Sequence, residues 1–327
     1  MSPLSEEVIA AYLAKIPATT RQESMSKRTS FRVGGAAALH TVAFSSDALV
    51  DSVVAALDLG LPFYLYGGGS NLLVSDDGFS GVMIQAAHRN IHIKEHRVFA
   101  EAGAITSMVA RQSVEAGLTG FEWAIGVPGT IGGAIYGNAG CYGGDMSDSV
   151  VLVDVYDLTT RQRKNMAKTE CGFEYRESRF KHERMLILGC EMLFAPSTDV
   201  QASRKRMNDI VALRKEKQPL DSSSAGCAFK NFEFSDPTAL DILQRSVEVP
   251  ESMLRNKSIS AGWLIDQVGM MGASVGDAQV SLKHGNFFLN KGNARAQDLL
   301  ALISRVKMKV RDEFGIELQE EVQLVGF

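Results

Sequence analysis

The chain has no C-x-x-C pair. Its four cysteines, Cys141, Cys171, Cys190 and Cys227, stand far apart. That spacing argues against a zinc site and against a disulfide framework, and it fits a reducing compartment, so a cytoplasmic location is expected. Positive charge is not in excess: the formal net charge is −4. A phosphate-neutralising nucleic-acid binder would carry a basic surface, so no nucleic-acid partner is expected. The amino terminus has early acidic residues and no apolar core flanked by basic ones, and it reads as a short helix. Internal repeats and low-complexity tracts are also lacking. One charge-free run, Ala124 to Gly144, is long enough to cross a bilayer. Eight of its residues are glycine, and Pro128 and Asn138 interrupt it. Backbone that flexible makes a poor lipid-facing helix, so the run reads as a buried loop and no membrane partner is expected.

What is present suits an ordinary globular protein, with 45% hydrophobic and 22% charged residues over 327 positions. That length favours two or three domains. Helical spacing runs from Asp47 to Leu59, stopped by Gly60 and Pro62. A short strand, Phe63 to Tyr66, follows. Further strands are expected at Val98–Ala102, Val150–Leu158 and Met185–Phe194, near Cys227–Lys230, and at Ile316–Val325. A helix capped by Thr106 is expected before the charge-free run. Val200–Lys217 reads as a polar connecting helix, Ser260–Val268 as a short one, and Leu299 to Phe314 as a long one stopped by Gly315. Strands and helices mix without regular alternation, which is the α+β class.

The run from Tyr66 to Val74, YGGGSNLLV, follows a strand and does not open a helix. It is neither G-x-G-x-x-G nor a P-loop. Three glycines let backbone N–H groups crowd round phosphate oxygens, and Ser70 and Asn71 add hydrogen bonds. Alone, such a run is more often a tight turn. The second loop, GVPGTIGGAIYGNAG from Gly126, is too apolar for a surface loop and too rich in glycine for a core helix. Gly34 and Gly35 form a third cluster. Together they point to one extended phosphate-bearing cofactor.

Six motifs then occur in order: SFRVGGAA, YGGGSNLLVSD, GVPGTIGGAIYGNAGCYG, CGFEYRESRFK, AGCAFKN and SAGWLID. In this order and over nearly the whole chain, the sequence resembles the UDP-N-acetylenolpyruvoylglucosamine reductases, the MurB family, in their shorter subtype. The resemblance implies a vanillyl-alcohol-oxidase-type FAD-binding domain of two subdomains plus a smaller α+β substrate domain. The implied division is an N-terminal helix at 1–27, the FAD-binding domain at 28–199, a connecting helix at 200–218 and a substrate-binding domain at 219–315. A C-terminal strand at 316–327 carries a catalytic glutamate. Non-covalent FAD is expected at Gly67, Gly68, Gly69, Ser70, Asn71 and Leu72, and at Gly126, Pro128, Gly129, Gly132, Gly133 and Asn138.

The reaction that the resemblance implies passes a hydride from NADPH to FAD and on to the enolpyruvyl group of a UDP-sugar. Arg176 is then placed on the substrate carboxylate, where a guanidinium pairs bidentately. From the residues alone a salt bridge to Glu174 or Glu177 is the simpler reading. Cys227 stands where the family usually has serine, its proton donor. A thiol titrates near ~8.5, far below an alcohol. A small buried core residue is the commonest fate of a free cysteine. Glu321 is the third catalytic candidate, chosen by the family pattern. Parity along 316–325 makes Glu320 the odd residue beside Ile316, Leu318, Val322 and Leu324. Tyr175, Lys217, Lys230 and Asn231 are expected on the substrate, although helix-dipole stabilisation alone accounts for a lysine at 217. His284 reads as structural. The alternatives are an alcohol- or lactone-oxidase-type flavoenzyme on the same fold and a non-catalytic FAD-binding protein. The first often tethers its flavin through a histidine near the first glycine motif, and Arg32 to Ala36 holds none.

Overall fold

A computed structural model describes residues 4–327. The chain forms two compact units. The first holds the chain up to Glu23, Ala37–Gly69 and Ser80–Arg214; the second holds Ser24–Ala36, Ser70–Phe79 and Lys215–Phe327. This division is interleaved, unlike the linear one expected from the motifs. The reason lies in the bonding of two early segments inside the second unit. Leu72–Val74 pairs in parallel with Gln323–Val325. The Asp76 carboxylate accepts from Ala296 N–H at 2.8 Å and Gln297 N–H at 3.0 Å, which caps the long C-terminal helix. Gly35 N–H donates to the Ser75 carbonyl at 2.8 Å. A Cβ on Gly34 would lie 2.8 Å from the Val74 Cβ. Gly34 and Gly35 thus serve a close crossing of chains, not the cofactor cluster in which the sequence reading put them.

Two sheets build the first unit. One is four-stranded, in the order Thr20–Ser24, Ala36–Ala43, Phe79–Ala86, Phe63–Tyr66. The helix Ser46–Asp58 starts where the Ser45 hydroxyl accepts from Ala48 N–H, and it buries Leu49, Val50, Val53 and Ala56. Those positions recur at helical spacing, and they pack with Leu39, Val82 and Ile84. The other sheet is five-stranded and antiparallel, in the order Gln162–Ala167, Val150–Asp157, Met185–Leu193, Arg97–Glu101, Ile91–Lys94. Its core joins Val98, Ala100, Val153, Val155, Cys190 and Met192 with Val109, Ile131 and Ile135.

The charge-free run is not one irregular loop. It contains most of a 3₁₀ turn at Glu122–Gly126, a helix at Ile131–Tyr136 and a short strand pair at Gly140–Cys141 and Gly144–Asp145. Pinning to the preceding segment explains the order: Ile131 N–H bonds the Ala104 carbonyl and Gly132 N–H the Ala102 carbonyl. Thr106 is not a cap. It is the first helical residue of Thr106–Glu115, and its hydroxyl and N–H both reach the Gly129 carbonyl. Among the described residues no helix is long and apolar enough to cross a membrane.

In the second unit the helix Ala296–Phe314 buries Leu299, Leu302, Ile303, Val306, Val310 and Phe314 and stops at Gly315, which has φ 69°. It packs in one core with the helix Ala261–Gln267 and with the small sheet containing Ala278–Val280 and Phe288–Asn290. The expected strand Ile316–Val325 forms only at Gln323–Val325. Ile316, Leu318 and Val322 are buried as parity requires, yet Leu324 is 43% exposed and Val325 is buried. Glu321 and Val322 N–H both approach the Ala228 carbonyl, a local bulge, before the chain changes partner to Leu72–Val74. A change of partner breaks a two-residue period.

Candidate active site

The two glycine loops meet in the first unit. A Cβ on Gly68 would lie 3.1 Å from the Gly129 Cα, and one on Gly67 would collide with the Thr130 hydroxyl. Gly132 is tight against Ala102, at 2.9 Å from its Cβ. Gly133 faces open space, with only the Thr130 hydroxyl 3.8 Å from its missing Cβ. Gly68, Pro128 and Gly133 are exposed. The result is backbone without side chains, contributed by two loops about sixty residues apart in sequence. Burial raises the phenol pKa of Tyr64, with Tyr136 adding to it, and burial aided by Glu177 raises that of Tyr136.

Asn138 joins the second loop to the CGFEYRESRFK segment. Its side-chain N–H donates to the Glu174 carbonyl at 2.9 Å, and its Oδ1 accepts from Ser147 N–H at 3.1 Å. Glu174 and Glu177 exchange both backbone hydrogen bonds, so Tyr175 and Arg176 occupy a two-residue turn. Arg176 has φ 53°, a left-handed conformation that this turn demands of a non-glycine residue. Its Nη2 donates to the Gly140 carbonyl at 2.7 Å, and Lys181 Nζ holds its carbonyl at 2.6 Å. The guanidinium carbon lies 5.2 Å from the Tyr175 ring centroid. Arg176 is half-buried and Tyr175 is 36% exposed.

The second unit holds Cys227, Lys217, Lys230, Asn231, Glu321, Ser70, Asn71 and Leu72. The Cys227–Lys230 segment is not a continuous ladder strand but is bridged on both sides. Cys227 pairs with Phe287 and Phe229 with Glu320. Glu321 N–H bonds the Ala228 carbonyl at 2.7 Å, and Lys230 N–H bonds the Gln319 carbonyl at 2.8 Å. Asn71 donates to the Glu321 carbonyl at 2.9 Å. Cys227 and Glu321 are therefore anchored through neighbouring backbone groups, and the glycine-motif residue Asn71 is tied to the same place. Glu320, the odd residue by parity, has both oxygens on Lys307 Nζ at 3.0 and 3.1 Å. Leu72 is buried in the short strand beside Gln323. Asn231 Oδ1 accepts from Ala261 N–H at 3.2 Å, and Lys217 is exposed at its helix end. All four cysteines are free.

Sequence reasoning noticed the Lys283–Asn286 tract but missed what Asn286 does. Its side chain, 2% exposed, accepts from Phe229 N–H at 3.0 Å and donates to the Phe229 carbonyl at 2.8 Å. It replaces the missing strand partner at that residue. His284 Nδ1 accepts from Asn286 N–H at 3.2 Å, and burial lowers the His284 pKa, so the ring stays neutral and structural.

A model of the FAD binding domain matches residues 38–162, the stretch with both glycine loops. Fold and family model together define a flavin-binding α+β protein. A second model, the C-terminal domain of UDP-N-acetylenolpyruvoylglucosamine reductase, matches 218–325. A reductase of that name from Caldanaerobacter subterraneus subsp. tengcongensis is 36% identical over 308 residues, 93% of this chain and 92% of that protein. One from Heliobacterium modesticaldum is 37% identical over 310 residues, 94% and 90% of the two chains. The crystal structure of the Thermus caldophilus reductase superposes with TM-score 0.73 at 30% identity, over 93% of this chain and 97% of that one. This chain belongs to the UDP-N-acetylenolpyruvoylglucosamine reductase family.

The exposed backbone at Gly68 and Gly133 would fit an FAD diphosphate, and the packing of Gly67 on Thr130 holds the two loops together there. Gly67→Ala should push Thr130 and the second loop apart. The purified variant is expected to hold less than about a tenth of the wild-type flavin, a loss near ~1.4 kcal/mol or more. Wild-type flavin absorbance per mole of chain would remove Gly67 from the cofactor site.

Proposed function

We propose that the chain reduces UDP-N-acetylglucosamine enolpyruvate to UDP-N-acetylmuramate in peptidoglycan-precursor synthesis, with NADPH as reductant, in the cytoplasm. FAD, when bound, would supply the hydride chemistry that couples NADPH oxidation to reduction at the terminal carbon of the enolpyruvyl group. Everything else falls to side chains. Arg176 binds the substrate carboxylate, where negative charge builds as the terminal carbon is reduced. Its rigid turn, fixed by Glu174, Glu177 and Lys181, supports that role because a pre-set guanidinium needs no reorganisation. The Cys227 thiol gives its proton to the carbon beside the carboxylate, and the thiolate recovers a proton from solvent. Glu321, anchored next to Ala228, orients the same end of the substrate. Tyr175, Lys217, Lys230 and Asn231 bind its nucleotide and sugar parts.

The observation that carries the reading is the match of the reductase C-terminal domain over the segments bearing both Cys227 and Glu321. The test is direct. Purified protein should show a flavin spectrum and oxidise NADPH rapidly only when the enolpyruvyl UDP-sugar is added. Rapid NADPH-independent reoxidation by oxygen with an alcohol substrate would favour an oxidase. A flavin that no reductant bleaches would favour a binding protein.

A further inference from the structure

The C-terminal segment changes partner at Glu321. Up to Glu320 it lies beside Phe229 and Lys230: Phe229 bridges Glu320, and Lys230 N–H donates to the Gln319 carbonyl at 2.8 Å. From Gln323 onward it runs in parallel with Leu72–Val74. Glu321 stands between the two ladders, at the bulge where its own N–H and that of Val322 share the Ala228 carbonyl. In a continuous strand the ladder sets the face to which each side chain points. A bulge at a change of partner interrupts that control, so the direction of residue 321 must be set by other bonds.

Asn71 supplies them from one residue. Its main-chain carbonyl accepts from Gln323 N–H at 2.9 Å, and its side-chain Nδ2 donates to the Glu321 carbonyl at 2.9 Å. The two bonds bracket residues 321–323. Gln323 Nε2 reaches the same Glu321 carbonyl at 3.2 Å. The clamp sits where it matters for a short pairing. Leu72–Val74 and Gln323–Val325 are three-residue strands, and Asn71 extends their ladder by one side-chain bond at the end that adjoins Glu321. Only a side chain with an N–H donor can do this: an ionised aspartate accepts only, and leucine, of similar size, has no donor. Asn71 was expected on FAD through the glycine motif, yet its side chain donates to the segment that carries Glu321.

We infer that Asn71 is a positioning residue for Glu321: its amide fixes the peptide from which the Glu321 carboxylate serves the substrate. The inference rests on the role proposed for Glu321 and adds the residue through which that role is set. Without the clamp the peptide can turn, and a displacement of about 1 Å at a reacting group costs on the order of 10²-fold in rate.

A double-mutant cycle on the substrate step tests this. Holoenzyme reduced with NADPH is mixed anaerobically with the enolpyruvyl UDP-sugar, and recovery of flavin colour is followed over a range of substrate concentrations. Asn71→Leu keeps the size of the side chain, adds no charge beside Glu321 and removes the donor. It should lower the limiting rate about 10- to 100-fold, with a much smaller change in the concentration giving half that rate. Flavin per mole of chain should stay within about twofold of wild type. In a Glu321→Gln background the same substitution should cost less than about twofold, because the carboxylate it positions is gone. An equal loss in both backgrounds overturns the inference, and so does an unchanged rate in the wild-type background. If the leucine variant fails to fold, Asn71→Ala carries the same cycle. Flavin lost from both folded variants overturns the inference too, by making Asn71 a cofactor ligand. A Glu321→Gln variant that keeps the wild-type rate removes the role proposed for Glu321 and this inference with it, an outcome that the single variant identifies.

Discussion

Cys227→Ala is expected to slow substrate reduction by about 10²- to 10⁴-fold, the usual worth of a positioned general acid. The same variant should bleach its flavin with NADPH at the wild-type rate. Stopped-flow absorbance separates the two: bleaching follows NADPH, and recovery of colour follows the enolpyruvyl substrate. Cys227→Ser should stay within about tenfold of wild type, because backbone bonds from Asn286 and Glu321 hold the Gly226–Phe229 segment. Gly226 has φ +81°, so the bend that presents residue 227 is set by the glycine before it. Product formed by the alanine variant at an undiminished rate would take Cys227 out of the mechanism. Activity retained by the serine variant would mark Cys227 as a change of acid on an unchanged frame.

Asn286→Leu should cost roughly 2–6 kcal/mol. The size is similar to Asn, but the buried N–H and carbonyl of Phe229 both lose their partner, at about 1–3 kcal/mol each. Phe229 is 1% exposed, so water cannot replace the lost bonds cheaply. A fall in the apparent Tm on the order of 10 °C is expected by calorimetry or circular dichroism. Substrate reduction at low temperature should drop as well, since Ala228 N–H also bonds the Asn286 carbonyl and the Cys227 segment is framed by that residue. A Tm within 2 °C of wild type, roughly the scatter of such measurements, would show that the Phe229 groups find other partners.

Much of the fold was legible because it is local. Helical spacing placed Asp47–Leu59 within a residue of Ser46–Asp58, and Val200–Lys217 matched to the residue. The strand Phe63–Tyr66 matched as well. These elements announce themselves by period and by punctuation such as Gly60, Pro62 and Pro219. Thr106 misled because a threonine before an apolar run looks like a cap, whereas here both its polar groups serve the Gly129 carbonyl. The terminal strand misled because parity assumes a single partner, and residues 316–325 have two.

The glycine loops show the same limit at the site. Composition marked Gly67–Gly69 and Gly126–Gly133 as places of close approach, and motif order connected them to FAD. Composition could not say which glycine meets what. Gly34 and Gly35 face Val74 and Asp76, Gly126 lies under Arg214, Gly67 and Gly68 meet Thr130 and Gly129, and Gly133 and Gly137 stay open. A missing Cβ reads the same in sequence whether a side chain, a backbone or a ligand fills its place.

By itself, then, the sequence determined the family, the order of its motifs, the cysteine at 227 and most helices and strands, because motif identity and periodicity are properties of neighbouring residues. Tertiary structure alone decided that residues 24–36 and 70–79 fold with the C-terminal unit. It alone decided that Asn286 stands in as the partner of Phe229, that Lys307 takes Glu320, and that Arg214 lies on Gly126. Each of those depends on which distant segments cross, and the free energy of a crossing is settled by bonds and packing between residues that no local pattern connects.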